Sequence, residues 1–170
     1  MHLLPLSNSV LSWCHWLQNT PWATGIRQSD LWFPFIEGSH ILALSVSVGL
    51  IVMLDLRLLR LVLPAESASK IMRQVMPWAL PGFGIMFVTG GLLFFSQAEK
   101  AYTSGFFRVK MLLLVLLGVN ALVYQWKFYP SMGEWESSDT VPRGVQVIAL
   151  VSLAFWMVVI ACGRLMAYEL

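Results

Sequence analysis

Four hydrophobic stretches, each long enough to cross a bilayer, fill most of this 170-residue chain. A bilayer core about 30 Å thick takes about 20 apolar residues of helix. The first stretch, residues 33–54 (FPFIEGSHILALSVSVGLIVML), carries a lone histidine, His40. Ionisable groups at such depth are costly and mark functional sites by default. Glu37 and His40 are therefore the first place to look for chemistry.

Composition agrees with lipid as solvent. Charged residues make up 12% of the chain, against about 25% in soluble domains. A net charge of +2 gives no basis for a nucleic-acid partner. The length fits one compact bundle and leaves no room for a second domain.

The spacing predicts four spanning helices, over about 31–62, 75–97, 106–128 and 144–166. Pro34 in the first turn of helix one does no harm there, and Pro64 stops that helix. Pro77 and Pro81 predict a kink near the start of helix two. Residues 65–74 and the acidic stretch 129–143, with Glu134, Glu136 and Asp139, read as polar loops. Ahead of the bundle, Val10, Leu11, Cys14 and Leu17 recur at helical spacing beside Trp13 and Trp16. They predict an amphipathic helix over 7–19 lying at the membrane surface, ended by Thr20-Pro21. The extreme N-terminus lacks a basic n-region, and Pro5, Ser7 and Asn8 break its apolar run. It is expected to belong to the mature chain rather than to a signal peptide.

Lys and Arg set the orientation. Arg57, Arg60, Lys70, Arg73, Lys127 and Arg143 fall on one side; Arg27, Lys100, Arg108, Lys110 and Arg164 fall on the other. The dense cluster after helix one places its side in the cytoplasm, with both termini periplasmic. The expected location is a bacterial inner membrane, crossed several times.

Glu37, His40, Leu44, Ser47, Ile51 and Asp55 step by three or four residues and share one stripe of helix one. The other faces are almost wholly aliphatic, so the stripe should point into the bundle. His40 lies about 10 Å inside the boundary if the helix enters near Phe33. Thr89 sits at a similar depth, followed by Gly90 and Gly91, a small-residue patch that lets a helix or a flat cofactor approach the backbone. Lys110 lies closer to the surface, near Glu37. It could pair with Glu37 or with an anionic group such as a haem propionate.

Beside a quinone or proton site, two readings of His40 stay open. In one, its imidazole ligates a haem iron. In the other, it is a neutral histidine bonded to Glu37, Thr89 or Ser47 that ties helices together. There are three histidines, His2, His15 and His40, so two bis-histidine haems within one chain are excluded. A sixth ligand would be Met (Met86, Met111 or Met157), water, a surface histidine or a second protomer. Cys14 and Cys162 form no CxxC pair, which excludes double-cysteine haem attachment and a thioredoxin-like site. Asp55 and Arg57 do not share a helical face; the plainer reading, which is preferred, is an Arg anchor at the inner interface, and the sharper one is Asp55 accepting a bond from another helix or from Arg73. There is no phosphate loop, zinc spacing or GxSxG, so a hydrolase is not expected.

The stretch FPFIEGSHILALSVSVGLIVMLDLRLLRL resembles the first helix of an uncharacterised family of small bacterial four-helix membrane proteins. The matching residues are Glu37, His40, Gly49 and Asp55-Leu56-Arg57-Leu58-Leu59, with Thr89-Gly90 and then Tyr102, Phe107 and Lys110 further on. More remotely the chain is similar to HemJ-type protoporphyrinogen oxidases and to copper-resistance D membrane domains. The HemJ resemblance implies haem b, with His40 as its ligand and Lys110 as a required charge.

The expected fold is an all-α, integral membrane four-helix bundle with an N-terminal amphipathic helix. The expected function is a small haem-b-associated or quinone-linked redox membrane protein. His40 would be the axial (metal) ligand, with Glu37, Lys110, Thr89 and Gly90 around the cofactor. The alternatives are a non-enzymatic scaffold or accessory subunit, and copper or small-solute transport. The lipid bilayer is the expected surrounding, with a homo-oligomer or a redox subunit as partner.

Overall fold

The computed structural model describes residues 5–137, 140–166 and 168. His2 and Asp139 lie outside them. The described chain is helical, with no strand among the described residues: α1 (Pro5–Gln18), α2 (Pro21–Gln28), α3 (Trp32–Leu58), α4 (Ala68–Ser96), α5 (Ala98–Thr103), α6 (Gly105–Val123), α7 (Met132–Ser137) and α8 (Arg143–Met166). A π-helical turn, Tyr124–Phe128, extends α6. Four spans are long and apolar enough to cross a membrane: Trp32–Leu58, Ala68–Ser96, Gly105–Phe128 and Arg143–Met166. This is the build of a multi-pass, all-α membrane bundle.

Several boundaries differ from the sequence reading, each for a local reason. The first spanning helix ends at Leu58, before Pro64 is reached. Its last turn closes with Leu61 N–H donating to the Leu56 carbonyl and Arg60 N–H to that of Arg57. Arg60 stands at φ 61°, so this is a left-handed termination made without glycine. The second spanning helix starts at Ala68, not near Val75. Ser67 caps it by accepting the Lys70 N–H. Pro77 and Pro81 lie inside the helix, on its exposed side. Three short helices were not foreseen. The α2 helix follows the Thr20-Pro21 break, α5 follows α4, and α7 lies in the supposed loop 129–143.

The spanning helices do not form a symmetric square. The closest pair is α3 with α4; α8 packs on α3, and α6 packs chiefly on α8. Packing between α6 and α4 is carried by side chains, such as Phe94 of α4 stacked on Phe107 of α6 with ring centres 5.5 Å apart. Gly82 lets α3 and α4 close up, because a Cβ there would collide with the buried Ser47 hydroxyl. Asn120 of α6 donates to the Ile148 carbonyl of α8 at 3.1 Å, a polar tie between two apolar helices.

Two apolar clusters fill the interior. One holds Ala43, Val48, Met86, Leu117, Trp156 and Val159. The other gathers Leu54, Leu58, Ile71, Val75, Tyr124, Trp135 and Val145 at the end far from α1. Phe83 stacks on Trp156, with centres 5.7 Å apart, and touches both clusters. Outside, large apolar side chains such as Leu42, Phe87, Leu112, Leu150 and Met157 are exposed. Lipid is the solvent that makes such surfaces stable.

At the other end, α1, α2 and α5 form a cap. Gln18 Nε2 donates to Glu99 Oε2 at 2.7 Å, and the Glu99 N–H returns a bond to Gln18 Oε1 at 3.2 Å. Arg27 Nη1 donates to the Ser96 carbonyl at 3.3 Å. These bonds fasten α1 to α5 and α2 to the end of α4.

Candidate functional site

The expected polar stripe of α3 faces inward over most of its length. Ser47 and Asp55 are buried, and His40, Leu44 and Ile51 are partly buried. Glu37 departs from the expectation: its side chain is exposed, with neither His40 nor Lys110 as an ion-pair or hydrogen-bond partner. It stands less than two turns into the helix, where the stripe has already emerged from the bundle.

His40 reaches across to α4. Its Nδ1 lies 3.0 Å from Thr89 Oγ1 and 3.1 Å from the Met86 carbonyl oxygen. A carbonyl can only accept, so the proton sits on Nδ1. Thr89 agrees with this assignment, because its hydroxyl proton goes back to the Ile85 carbonyl at 2.7 Å, leaving Oγ1 to accept from His40. With Nδ1 committed as donor, Nε2 is the ring's lone-pair atom. Imidazoles that bind metals are held in this way, one ring nitrogen donating to a carbonyl or hydroxyl and the other presented to the ion.

Two glycines complete the surroundings. A Cβ on Gly90 would stand 3.0 Å from His40 Cε1, so the ring lies against bare backbone of α4. A Cβ on Gly163 would stand 3.4 Å from Lys110 Nζ, so the lysine stem lies along bare backbone of α8. Each of the two polar side chains thus occupies space that a larger residue on the facing helix would fill. Lys110 is within electrostatic range of His40 and of Cys162. The structure therefore brings His40, Thr89, Gly90 and Lys110 to one region of the bundle and leaves Glu37 outside it.

Of the three methionines singled out as sixth ligands, Met86 is buried beside His40, while Met111 and Met157 are exposed on the outer surface. Among the described residues, no group of three or more His, Cys, Asp or Glu side chains is placed to hold a metal ion. Both cysteines are free and buried. Burial pushes the Cys14 thiol above its usual range, and the nearby Glu99 carboxylate adds to the shift. His15 lies exposed beside Asn19.

Asp55 finds a partner on another helix: the Ser152 hydroxyl of α8 bonds it. Its Oδ2 and the Arg57 Nη1 are buried without a protein partner, while Arg57 Nε donates to the Glu66 carbonyl at 2.6 Å.

A cleft of about 610 Å³ opens beside the His40–Thr89 pair, on the cap side of the bundle. The α2 helix roofs it with Trp22, Gly25 and Ile26, and α3 forms one wall with Trp32, Phe35, Ile36 and Ser39. Thr89 and Leu92 of α4 form the floor. Sequence reasoning missed this site because α2 was not foreseen. The signal available was Pro21 directly after Thr20, a proline suited to the first position of a helix.

The chain matches a family of unknown function (DUF6644) over residues 23–169. It belongs to that family. The match runs from within α2 through α8, so every residue of the His40 region, and every residue of the cleft except Trp22, lies within it. No curated protein and no solved structure matches the chain significantly.

Proposed function

We propose that this chain is a small haem-b-associated redox protein of a bacterial inner membrane, with His40 as axial ligand. The observation that carries the reading is the proton on His40 Nδ1, held by Thr89 and Met86, which leaves Nε2 to ligate. The residues fit the group in two respects: one imidazole lone pair, and a lysine ammonium for an anionic edge.

A bound haem supplies one-electron chemistry at its iron. The chain's own residues do the rest. Thr89 and the Met86 carbonyl fix the tautomer and the ring plane of His40. Gly90 leaves the room against α4 that the His40 ring itself occupies. Lys110 supplies the positive charge that an anionic substituent requires at this depth. Both termini lie on the periplasmic side in this reading, supported by the Arg57, Arg60, Lys70 and Arg73 cluster near the opposite end. A homo-oligomer or a redox subunit would cover part of the exposed surface of α6.

A second reading has its own observation. The bond from His40 to Thr89 and Met86 is by itself a clamp between α3 and α4, and a scaffold or accessory subunit needs no more than that. An oxidised-minus-reduced absorption spectrum of the detergent-purified protein, beside His40→Ala, separates the two. Haem bands near one per chain, lost in the variant, are the expected result. A colourless, folded wild-type protein overturns the haem reading and leaves the scaffold.

A further inference from the structure

The cleft beneath α2 has walls, depth and hydrogen-bonding capacity that select one kind of ligand. Its walls are aromatic and aliphatic: Trp22 above, Trp32 and Phe35 beside, Ile36 and Leu92 within. Trp32 and Phe35 are more than 60% exposed, so their ring faces are open to an occupant. The roof is fixed: Ala23 is fully buried, Trp22 meets Phe95 edge-on at 5.5 Å, and Arg27 is tied to the Ser96 carbonyl.

Depth narrows the choice. Ser39 lies seven residues into α3 and Thr89 seven residues before the end of α4. At about 1.5 Å per residue both are about 10 Å from their helix ends. At this level the surroundings are hydrocarbon, so an occupant must be lipid-soluble.

The two hydroxyls on the cleft decide the polarity. Ser39 Oγ already donates to the Phe35 carbonyl at 2.7 Å, and Thr89 Oγ1 already donates to that of Ile85. Each hydroxyl has one proton and two lone pairs. As placed, both therefore offer lone pairs toward the cleft, Thr89 with one of its two already taken by His40. The matching ligand is flat, aromatic and apolar, and it carries hydroxyl donors. We propose that this cleft binds the ring of a lipid-soluble hydroquinol, in preference to the oxidised quinone, which has no donor to offer. The purpose of such a site, to bring a reductant beside the His40 region, rests on the redox reading above; the binding itself rests on the cleft.

The experiment titrates the purified full-length protein with a decyl-tailed benzohydroquinol, its quinone and its dimethyl ether, reading tryptophan fluorescence. Trp22 and Trp32 report occupancy. Saturable quenching by the hydroquinol is expected, with the dimethyl ether failing to compete. Ser39→Ala should weaken binding about fivefold, the loss of one ordinary hydrogen bond. Gly25→Leu should abolish saturation by filling the cleft; a Cβ at Gly25 meets nothing within 4 Å, so the variant is expected to fold. Equal, unsaturable quenching by hydroquinol and dimethyl ether in wild type and both variants overturns the proposal, since it reports partition into detergent alone. The haem spectrum is a separate signal. Haem bands without hydroquinol saturation overturn this inference and leave the haem reading standing; saturation in a colourless protein does the reverse.

Discussion

At the scale of single residues, the decisive feature is how one histidine proton is spent. An isolated imidazole can carry its proton on either nitrogen. Here the Met86 carbonyl and a threonine that has already given its own proton away leave one arrangement. Thr89→Val keeps the shape of the side chain and removes one of the two acceptors. The expected outcome is a haem affinity about tenfold or more below wild type, as for other second-layer ligand partners, measured by haem titration. Gly90→Leu places a side chain where the His40 ring lies. It should cost about 1–3 kcal/mol of stability and remove haem binding, read by thermal unfolding and by the spectrum. If Gly90→Leu binds haem like wild type, the ring is not seated on that glycine.

At the scale of elements, the short helices fasten the long ones. The first turn of α4 has free N–H groups, as every helix N-terminus does. Glu136, on α7, answers them: its Oε1 accepts from Ser69 N–H at 3.0 Å and from the Ser67 hydroxyl at 2.8 Å. Partial burial pushes the Glu136 carboxyl up, but the bonds from Ser69, Ser67 and Ala68 outweigh it and hold the group below its ordinary range. A carboxyl depressed in the folded state contributes stability that is fully present above about pH 4.3, the ordinary glutamate value, and lost as the pH falls through its lower folded value. Acidification should therefore loosen the α4–α7 junction, by less than about 1 kcal/mol because the site is partly exposed. Glu136→Gln should flatten the acid limb of a thermal-stability profile and leave the neutral limb little changed; a parallel acid limb in the variant would assign the loss to other groups.

At the scale of the whole molecule, the four spans are arranged around the α3–α4 pair, with α6 held mainly by α8 and largely bare. The cap of α1, α2 and α5 closes one end, fixed by the Gln18–Glu99 exchange. The basic residues Arg57, Arg60, Lys70 and Arg73 lie at the opposite end. If that end is cytoplasmic, an alkaline phosphatase fused to the C-terminus will be active in cells and a fluorescent protein fused there will be dark. The reverse pattern would invert the topology and place the cap, with its cleft, in the cytoplasm.

The all-α class, the four apolar spans and the polar stripe of α3 were legible in the sequence, because run length and helical period are local properties. The break at Thr20-Pro21 was legible for the same reason. His40, Thr89, Gly90 and Lys110 could be named as residues of interest, since an ionisable group in an apolar run stands out wherever it lies. Glu37 was misjudged because periodicity says which residues share a face, not how far along the helix that face stays covered. The early start of α4 depends on Glu136, 67 residues away from Ser69, meeting its first turn. The tautomer of His40 depends on a carbonyl 46 residues distant. The cleft exists because α2 folds back over α3 and α4. Each is a contact between segments far apart in the chain, so only packing could decide it: the sequence by itself determined which stretches are helical and which residues are costly to bury, and the tertiary structure determined which of them meet.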